Sequence, residues 1–245
     1  MSENDTVQEL VDVTALNLNY LKNENNVIRI GATSPLQKVI ESPVLNDPPN
    51  SIIPQAALLS QHSRMIRNVS TIGGELVTAD SLSPLYCALL VLQAQVRIAG
   101  GEEFALPMNI FLNKKTLGGG ILIEILIPKA AEPTFSAIST VTSYAGRPPL
   151  LCVCARVSID RGICKNVKIA ITGTPKVAQR MHHSESMLEG QRLTASTIQS
   201  VMDQVYERYQ PISDPLASEE FRKESSRLNV KKALMKCLEK AETTL

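Results

Sequence analysis

The sequence predicts an α+β protein of two domains, with a mixed first domain followed by a smaller C-terminal one. Three observations support this class. Strand-like and helix-like segments are interleaved up to a strongly apolar strand at residues 121–127. A Lys-Ala-Ala-Glu-Pro linker follows at 129–133, and beyond it the strands come first and the helices afterwards. That order is typical of an α+β unit, so we expect domains at 1–130 and 131–245.

The first elements read as a hairpin followed by two helices. Apolar runs at 18–21 and 27–30 flank a polar stretch, which is typical of a β-hairpin. Ser34 and Pro35 then open a helix, with Ser34 as the N-cap and Gln37 as its capping-box partner. A second helix is predicted over 52–61.

A buried helix and three strands complete the first domain. Residues 85–92 are almost wholly apolar and begin after Ser83-Pro84, so they predict a helix with no solvent face. Strands at 95–99 and 103–106 flank Gly100-Gly101 and form a second hairpin. The triplet Gly118-Gly119-Gly120 leads into 121–127 without a following helix or Gly-Lys-Ser/Thr, so we interpret it as the entry to a central strand and not as a nucleotide loop.

The C-terminal half predicts a three-stranded antiparallel meander and then helices. The strands start near residue 135 and at 150–159 and 167–171, with a turn at Asp160-Arg161-Gly162. The helices are predicted over 177–188, 194–209 and 219–241. Their apolar stripes face inward and their charged residues outward.

Composition excludes several classes of protein. The 245 residues are 44% hydrophobic and 20% charged with a net charge of +1, which gives no reason to expect nucleic acid as a partner. No apolar run reaches the ~20 residues of a membrane span, and the polar N-terminus does not look like a secretory signal. The five cysteines form no Cys-x-x-Cys pair, which favours reduced thiols in the cytoplasm and no metal site.

The histidines and cysteines of the sequence give little evidence for a catalytic or metal site. His182 and His183 are adjacent on a helix and point in different directions, so they do not make a metal pair. His62 has no nucleophile elbow beside it. Cys152 and Cys154 lie on one face of a strand and are interpreted as buried core residues.

The segment 64–77, RMIRNVSTIGGELV, carries the main binding hypothesis. Gly73 and Gly74 can reach φ > 0 and have no Cβ, so their bare amides could face an anion such as a diphosphate. The Thr71 hydroxyl and two upstream arginines would add to such a site. The alternative is a tight turn between two packed elements, and spacing alone does not decide between them.

The run RNVSTIGG at 67–74, followed by LYCALLVLQA at 85–94, resembles the flavin-binding subunit of the molybdenum hydroxylases. This family includes the medium subunit of carbon monoxide dehydrogenase and the flavin domain of xanthine dehydrogenase. The C-terminal stretches at 174–194 and 217–223 are similar to the family as well. The resemblance implies a truncated FAD-binding domain followed by the small C-terminal domain of the carbon monoxide dehydrogenase flavoprotein.

What the resemblance implies is an oxidoreductase subunit that holds FAD between its domains. The flavin would receive electrons from an iron–sulfur subunit and pass them to an acceptor, beside a large molybdopterin-binding subunit. Substrate choice would belong to that large subunit. The residues implied in cofactor binding are Arg67, Thr71, Ile72, Gly73, Gly74, Glu75, Val77 and Arg147.

Three departures from the family pattern open an alternative. The chain starts after the point where the family has its first glycine-rich diphosphate loop. Glu75 stands where the pattern has Asn, and a carboxylate opposes a phosphate. The loop at 143–149 keeps Arg147 as its only charge. These departures favour an FAD-less structural subunit of such a complex, or a diphosphate loop supplied by a partner chain.

Overall fold

The structure is a computed structural model, which describes residues 11–114, 119–144, 146–175 and 177–244. The predictions for the N-terminal segment, for Gly118 of the glycine triplet and for Ala145 of the 143–149 loop lie outside these residues. Within the described part of the chain, no helix is long and apolar enough to cross a membrane.

The first half of the chain builds a five-stranded sheet of β1 (Leu21–Glu24), β2 (Val27–Gly31), β3 (Gln95–Gly100), β4 (Glu102–Pro107) and β5 (Ile121–Pro128). The strand order is β1-β2-β5-β3-β4 and each neighbouring pair is antiparallel. The prediction that β5 is central is confirmed. Both predicted hairpins form, although β1 starts three residues later than expected. Gly101 turns the second hairpin at φ +84, a conformation that glycine adopts without strain.

The helices described around this sheet are α1 (Leu36–Glu41), α2 (Ile52–Ser60), α3 (Arg64–Val69), α4 (Ile72–Val77), α5 (Pro84–Val91) and α6 (Met108–Lys114). Every residue of α5 is buried, as its apolar sequence predicts. Ser83 caps α5 by accepting a hydrogen bond from the Tyr86 amide at 3.3 Å. The predicted cap of α1 is wrong, because the Ser34 hydroxyl instead donates to the carbonyl oxygen of Tyr20 at 3.0 Å.

The C-terminal half builds a four-stranded antiparallel sheet of β6 (Thr134–Val141), β7 (Leu151–Asp160), β8 (Ile163–Thr172) and β9 (Ala178–Arg180). The prediction of three strands and of a helix over 177–188 is therefore wrong. The three residues of β9 pair with the end of β8, and helix α7 (His182–Leu188) takes the rest of that range. Pairing satisfies the backbone groups along the exposed edge of β8, a demand that local sequence does not reveal.

Helices cover both faces of this second sheet. The two C-terminal helices, α8 (Ala195–Arg208) and α9 (Glu219–Thr244), pack together, and α9 covers β6 and β7. Helix α5 contacts β7 and β8, and the apolar core around it includes Cys152 and Cys154. The buried Arg222 of α9 donates to the Leu150 carbonyl at 3.1 Å and pairs with Asp214 at 2.6 Å. Helix α5 thus joins the two sheets through one continuous core.

A buried carboxylate ties three strands of the first sheet together. Glu124 of β5 is fully buried and accepts hydrogen bonds from the Tyr20 hydroxyl at 2.7 Å and from Arg29 Nε at 2.8 Å. Arg97 Nη1 of β3 lies 2.9 Å from its other oxygen. Burial by itself raises the pKa of Glu124, but the hydrogen bonds from Arg29 and Tyr20 and the two positive charges outweigh it, so the pKa lies below its usual value.

We expect Glu124→Gln to lower the free energy of unfolding by about 2–3 kcal/mol, since it removes the ion pair of Arg97 and leaves Arg29 with only Glu24 as a partner. Because the folded-state pKa of Glu124 is lowered, its contribution is present above the unfolded-state pKa and is lost as the pH falls through the folded-state pKa. Urea denaturation from neutral to acidic pH measures this. The control is Glu24→Gln, since Glu24 is a half-exposed partner of Arg29 and should matter by less than about 1 kcal/mol. Equal losses in the two variants would contradict the assignment.

Candidate functional site

The segment 64–77 folds as two short helices and not as a left-handed bend. Thr71 is the N-cap of α4, and its Oγ1 accepts a hydrogen bond from the Gly74 amide at 3.1 Å. Gly73 and Gly74 lie in the first turn of α4, and neither is among the described residues with positive φ. The expectation that the paired glycines adopt φ > 0 is therefore wrong. The threonine supplies an acceptor that the first turn of a helix lacks.

The backbone amides of this turn are bonded within the chain. The Ile72 amide donates to the Ser34 carbonyl at 3.0 Å, and the Gly73 amide donates to the Ala32 carbonyl at 2.9 Å. With the Gly74 amide on Thr71, all three amides have partners. The hypothesis that these nitrogens are bare is not met, because the chain that follows β2 accepts from Ile72 and Gly73 and the N-cap Thr71 accepts from Gly74.

The two glycines have different surroundings. A Cβ on Gly73 would lie 2.7 Å from the Ala32 carbonyl oxygen, 2.8 Å from its Cβ and 3.0 Å from a methyl of Leu122. A Cβ on Gly74 would meet only Thr71 Oγ1, at 3.1 Å, and Gly74 is exposed. Gly73 is therefore required by the packing of α4 on the sheet, whereas Gly74 leaves a strip of backbone open to solvent.

The three arginines predicted as positive charges near the segment lie in different settings. Arg64, the first of the two upstream arginines, is exposed and pairs with Glu41 at 3.1 Å. Arg67 is buried, and its guanidinium donates to Gln37 Oε1 at 2.8 Å and to the Gln61 carbonyl at 2.9 Å. It braces the connection between α2 and α3 and does not face an open site. Arg147 is exposed, and its amide donates to the Tyr144 carbonyl at 3.3 Å.

A small cavity lies where α4, the start of α5 and the 146–149 loop meet. We call it the seam cavity, and its volume is about 210 Å³. Of the residues predicted to bind the cofactor, Glu75 lines the seam cavity, together with Pro148, the neighbour of Arg147. Ile72 and Gly73 are buried in the core. Thr71, Gly74 and Val77 line no part of this cavity. The residues around the seam cavity are Ser60, Gln61, Glu75, Thr78, Ala79, Asp80, Leu82, Ser83, Pro84 and Pro148.

The described wall of the seam cavity is acidic. Burial raises the pKa of Glu75, the charge of Asp80 raises it further, and a hydrogen bond from Gln61 opposes the rise. Asp80 accepts a hydrogen bond from the Leu82 amide at 2.8 Å. No lysine or arginine is among the described residues that line this cavity. The seam cavity therefore favours neutral or hydrogen-bond-donating groups over a phosphate.

A larger cavity of about 840 Å³ lies against β1 and α1 and reaches the same segment at Asn68. Its wall carries Lys22 and Lys38. The Lys38 ammonium donates to Asn19 Oδ1 at 2.8 Å, and that of Lys22 lies 5.0 Å from the centre of the Tyr20 ring. The two lysines therefore place positive charge near the Asn68 end of the segment 64–77, which faces this larger cavity.

Apolar side chains are exposed along the same segment. Met65 and Val69 of α3 are 82% and 78% exposed, and Val77 at the end of α4 is 47% exposed. With Ile66, which is 46% exposed, the segment 64–77 has four exposed large apolar residues, and such a concentration is typical of surfaces that bind another molecule.

The structure also brings together three thiols that the sequence did not group. Cys87 of α5 joins Cys152 and Cys154, with all three sulfur atoms within 4.8 Å of one another and all three residues buried. The prediction that Cys152 and Cys154 are core residues is confirmed. The contact of α5 with β7 adds Cys87, and only that tertiary contact could have indicated it.

Two family models match the chain. The FAD binding domain in molybdopterin dehydrogenase matches residues 1–130, and the CO dehydrogenase flavoprotein C-terminal domain matches residues 145–237. The glyceraldehyde dehydrogenase medium chain of Sulfolobus acidocaldarius is 24% identical over 236 residues, which cover 91% of this chain and 81% of that protein.

Solved structures share the fold. Carbon monoxide dehydrogenase from Hydrogenophaga pseudoflava superposes with a TM-score of 0.83 at 21% identity, over 90% of this chain and 78% of that one. Quinoline 2-oxidoreductase from Pseudomonas putida gives a TM-score of 0.82 at 21% identity, over 91% and 79%. Since the first family model alone matches more than half of the 245 residues, the chain belongs to the FAD-binding medium subunits of the molybdenum hydroxylase family, and FAD is its cofactor.

Proposed function

We propose that this chain is the electron-transfer subunit of a molybdenum hydroxylase complex. FAD lies on the exposed backbone at Gly74, next to the seam cavity. Its flavin takes electrons from a small [2Fe–2S] subunit and passes them to an acceptor, and a large molybdopterin-binding subunit carries out the substrate reaction. Family membership supports this function. The single observation that carries it is the exposed backbone at Gly74, where an added Cβ would meet no backbone atom and only one side-chain atom, Thr71 Oγ1 at 3.1 Å.

The residues present fit one part of FAD better than another. A glycine without a Cβ lets a flat or extended group approach the main chain closely. The Thr71 side chain and the exposed Val77 stand on either side of Gly74 in the sequence, and they offer polar and apolar contact. These features suit the neutral ring or sugar-alcohol part of the cofactor.

The diphosphate part needs positive charge, which the seam cavity does not offer within the described residues. Glu75 would oppose it there. Lys22 and Lys38 on the larger cavity, which meets the same segment at Asn68, are the nearest set of cations that this region supplies. We therefore place the diphosphate toward that end, with Arg67 as a brace for the segment and Arg147 at the rim beside Pro148.

In this proposal the redox chemistry is supplied by the flavin, and the chain binds and orients it. Gly74 sets how closely the cofactor approaches, and Gly73 fixes the position of α4 through its contact with Ala32. Glu75, whose pKa is raised by burial, favours its neutral form more than an exposed glutamate does. In that form it donates a hydrogen bond instead of repelling an electron-rich ring.

The exposed apolar residues on α3 support the proposal that partner subunits bind at this surface. Met65 and Val69 stand next to the proposed cofactor segment, where electrons must enter or leave. The five cysteines of the chain are free and buried, which suits a reducing compartment, and we place the complex in the cytoplasm.

The alternative from the sequence, an FAD-less structural subunit of the same kind of complex, disagrees with the family match. One observation favours it: the Ile72, Gly73 and Gly74 amides have partners within the chain, so the turn is complete without a cofactor. The glycine pair distinguishes the two functions, because only the cofactor function needs Gly74.

We expect Gly74→Ala to lower FAD affinity about tenfold while the unfolding free energy stays within about 1 kcal/mol of the wild-type value, since the helix preference of alanine is opposed by the close contact of its Cβ with Thr71 Oγ1. Gly73→Ala is the matched variant. Its Cβ collides with backbone, so it should lose about 1–3 kcal/mol of stability. FAD titration followed by flavin fluorescence, and chemical denaturation of both variants, measure these effects.

The same preparations test electron transfer. In the purified complex, adding the substrate of the large subunit should bleach the flavin absorbance, and Gly74→Ala should reduce the bleached fraction at limiting FAD. A wild-type complex that contains no flavin and takes none up would exclude the proposed function. Unchanged FAD affinity in Gly74→Ala would exclude the proposed place of the cofactor.

Glu75→Gln should strengthen FAD binding about threefold to tenfold at neutral pH, because it removes a negative charge near the cofactor. The folded-state pKa of Glu75 is raised, so the contribution of Glu75 to folding stability is full below the unfolded-state pKa and is lost as the pH rises through the folded-state value. Toward acidic pH the Glu75 carboxylate is protonated and carries no charge. The gain in FAD affinity from Glu75→Gln should therefore shrink toward acidic pH. Glu103→Gln, at an exposed residue of β4 that lines neither the seam cavity nor the larger cavity, is the control. An equal gain in both variants would contradict a local role for Glu75.

A further inference from the structure

A third cavity, which has a polar lining, lies between the 130–132 linker and strands β7 and β8. Its volume is about 500 Å³, and it shares no lining residue with the seam cavity. Neither the family comparison nor the proposed function uses it. Its described lining residues are Ala130, Ala131, Glu132, Arg156, Ser158, Lys165, Asn166, Lys168 and Glu189.

Two cations face each other across the strands of this cavity. Arg156 of β7 and Lys168 of β8 are directly opposite in the register, so their side chains lie on the same face of the sheet. Arg156 is 4% exposed and Lys168 is half-buried. Like charges directly opposite on a sheet are destabilising, and more so where water is largely excluded.

The surrounding carboxylates are engaged elsewhere. Glu189 accepts hydrogen bonds from the Asn166 and Val167 amides at 2.7 and 3.1 Å. Glu132 lies 3.9 Å from Lys165, which pairs with Asp160 at 2.8 Å. None of the ion pairs among the described residues includes either of the two facing cations.

Both cations have hydrogen-bonding capacity to spare. Arg156 Nη1 donates to Gln93 Oε1 at 3.1 Å, but its buried Nε has no partner in the structure. Lys168 donates to the Val167 carbonyl at 3.1 Å, one of the three bonds that an ammonium can make.

A third cation lies close enough to add to the repulsion. Burial and the charge of Arg180 both lower the pKa of Arg156. Burial lowers the pKa of Lys168, and the charges of Arg180 and Arg156 lower it further against the opposing effect of Glu185 and Glu189. Arg180 itself pairs with Glu185 at 2.6 Å. The carboxylates of the chain therefore compensate the charge of the facing pair only in part.

We propose that this cavity binds a small oxyanion of the phosphate type between Arg156 and Lys168. A dianionic group neutralises both charges, and its oxygens accept hydrogen bonds from the Arg156 guanidinium and from the Lys168 ammonium, which both line the cavity. A phosphate ion and the phosphate group of a nucleotide share this chemistry, and the open cavity admits either.

The test uses the full chain and two lysine variants on β8. Inorganic phosphate at ten times its dissociation constant should raise the thermal midpoint of the wild type by about 3–5 °C. Lys168→Met should abolish most of this rise. Without phosphate the same variant should be as stable as the wild type or more so, because it removes one of two facing like charges. That combination distinguishes a binding residue from one that only supports the fold.

Lys165→Met is the matched control, since Lys165 lines the same cavity but is paired with Asp160. It should keep the phosphate effect. Isothermal titration with phosphate and with AMP then identifies the source: tighter binding of AMP, still lost in Lys168→Met, indicates a nucleotide phosphate, and equal or weaker binding indicates the free ion. A phosphate effect of equal size in all three proteins, or none in the wild type, would overturn the proposal.

Discussion

The structure depends on one close approach, that of Gly73 to the chain leaving β2. The Gly73 amide bonds to the Ala32 carbonyl, and a side chain at this position would overlap with that carbonyl and with Leu122 of β5. This contact therefore fixes the distance between helix α4 and the sheet. The position of Gly74, the direction of Glu75 and the shape of the seam cavity all follow from it. The Ile72 amide, which bonds to the Ser34 carbonyl, adds a second fixed point.

The charges of the molecule are distributed in a way that suits a module placed between partners. The central strand β5 holds its buried Glu124 against two arginines, so the charge is compensated inside the first sheet. The seam cavity keeps two carboxylates and no described cation on its wall, whereas the Arg156–Lys168 cavity keeps facing cations that the chain compensates only in part. The first therefore suits neutral or hydrogen-bond-donating groups, and the second suits an anion. Pro84, at the start of α5, lines the seam cavity, and Gln93, just beyond the end of α5, bonds to Arg156.

Much of the fold was predictable because it depends on local pattern. The apolar run of α5, the continuous hydrophobic sequence of β5 and the Gly100-Gly101 hairpin each express a periodicity or a turn requirement within a few residues. Strand β9 was missed because the edge of β8, and not the sequence of 178–180, determines it. The helical conformation of the diglycine was not predicted. Whether Gly73 faces a ligand or Ala32 depends on the chain that follows β2, about 40 residues earlier, and the position of Arg67 likewise depends on Gln37 of α1, 30 residues earlier.

The most direct test of this account is amide-resolved hydrogen exchange of the full chain with and without FAD. The account predicts that the Ile72 and Gly73 amides exchange slowly in both states, because carbonyls of the chain already hold them, and that added FAD slows exchange at and just after Gly74. Rapid exchange of the Ile72 and Gly73 amides in the free chain, with protection only when FAD is added, would contradict it and would restore the hypothesis that these nitrogens are bare.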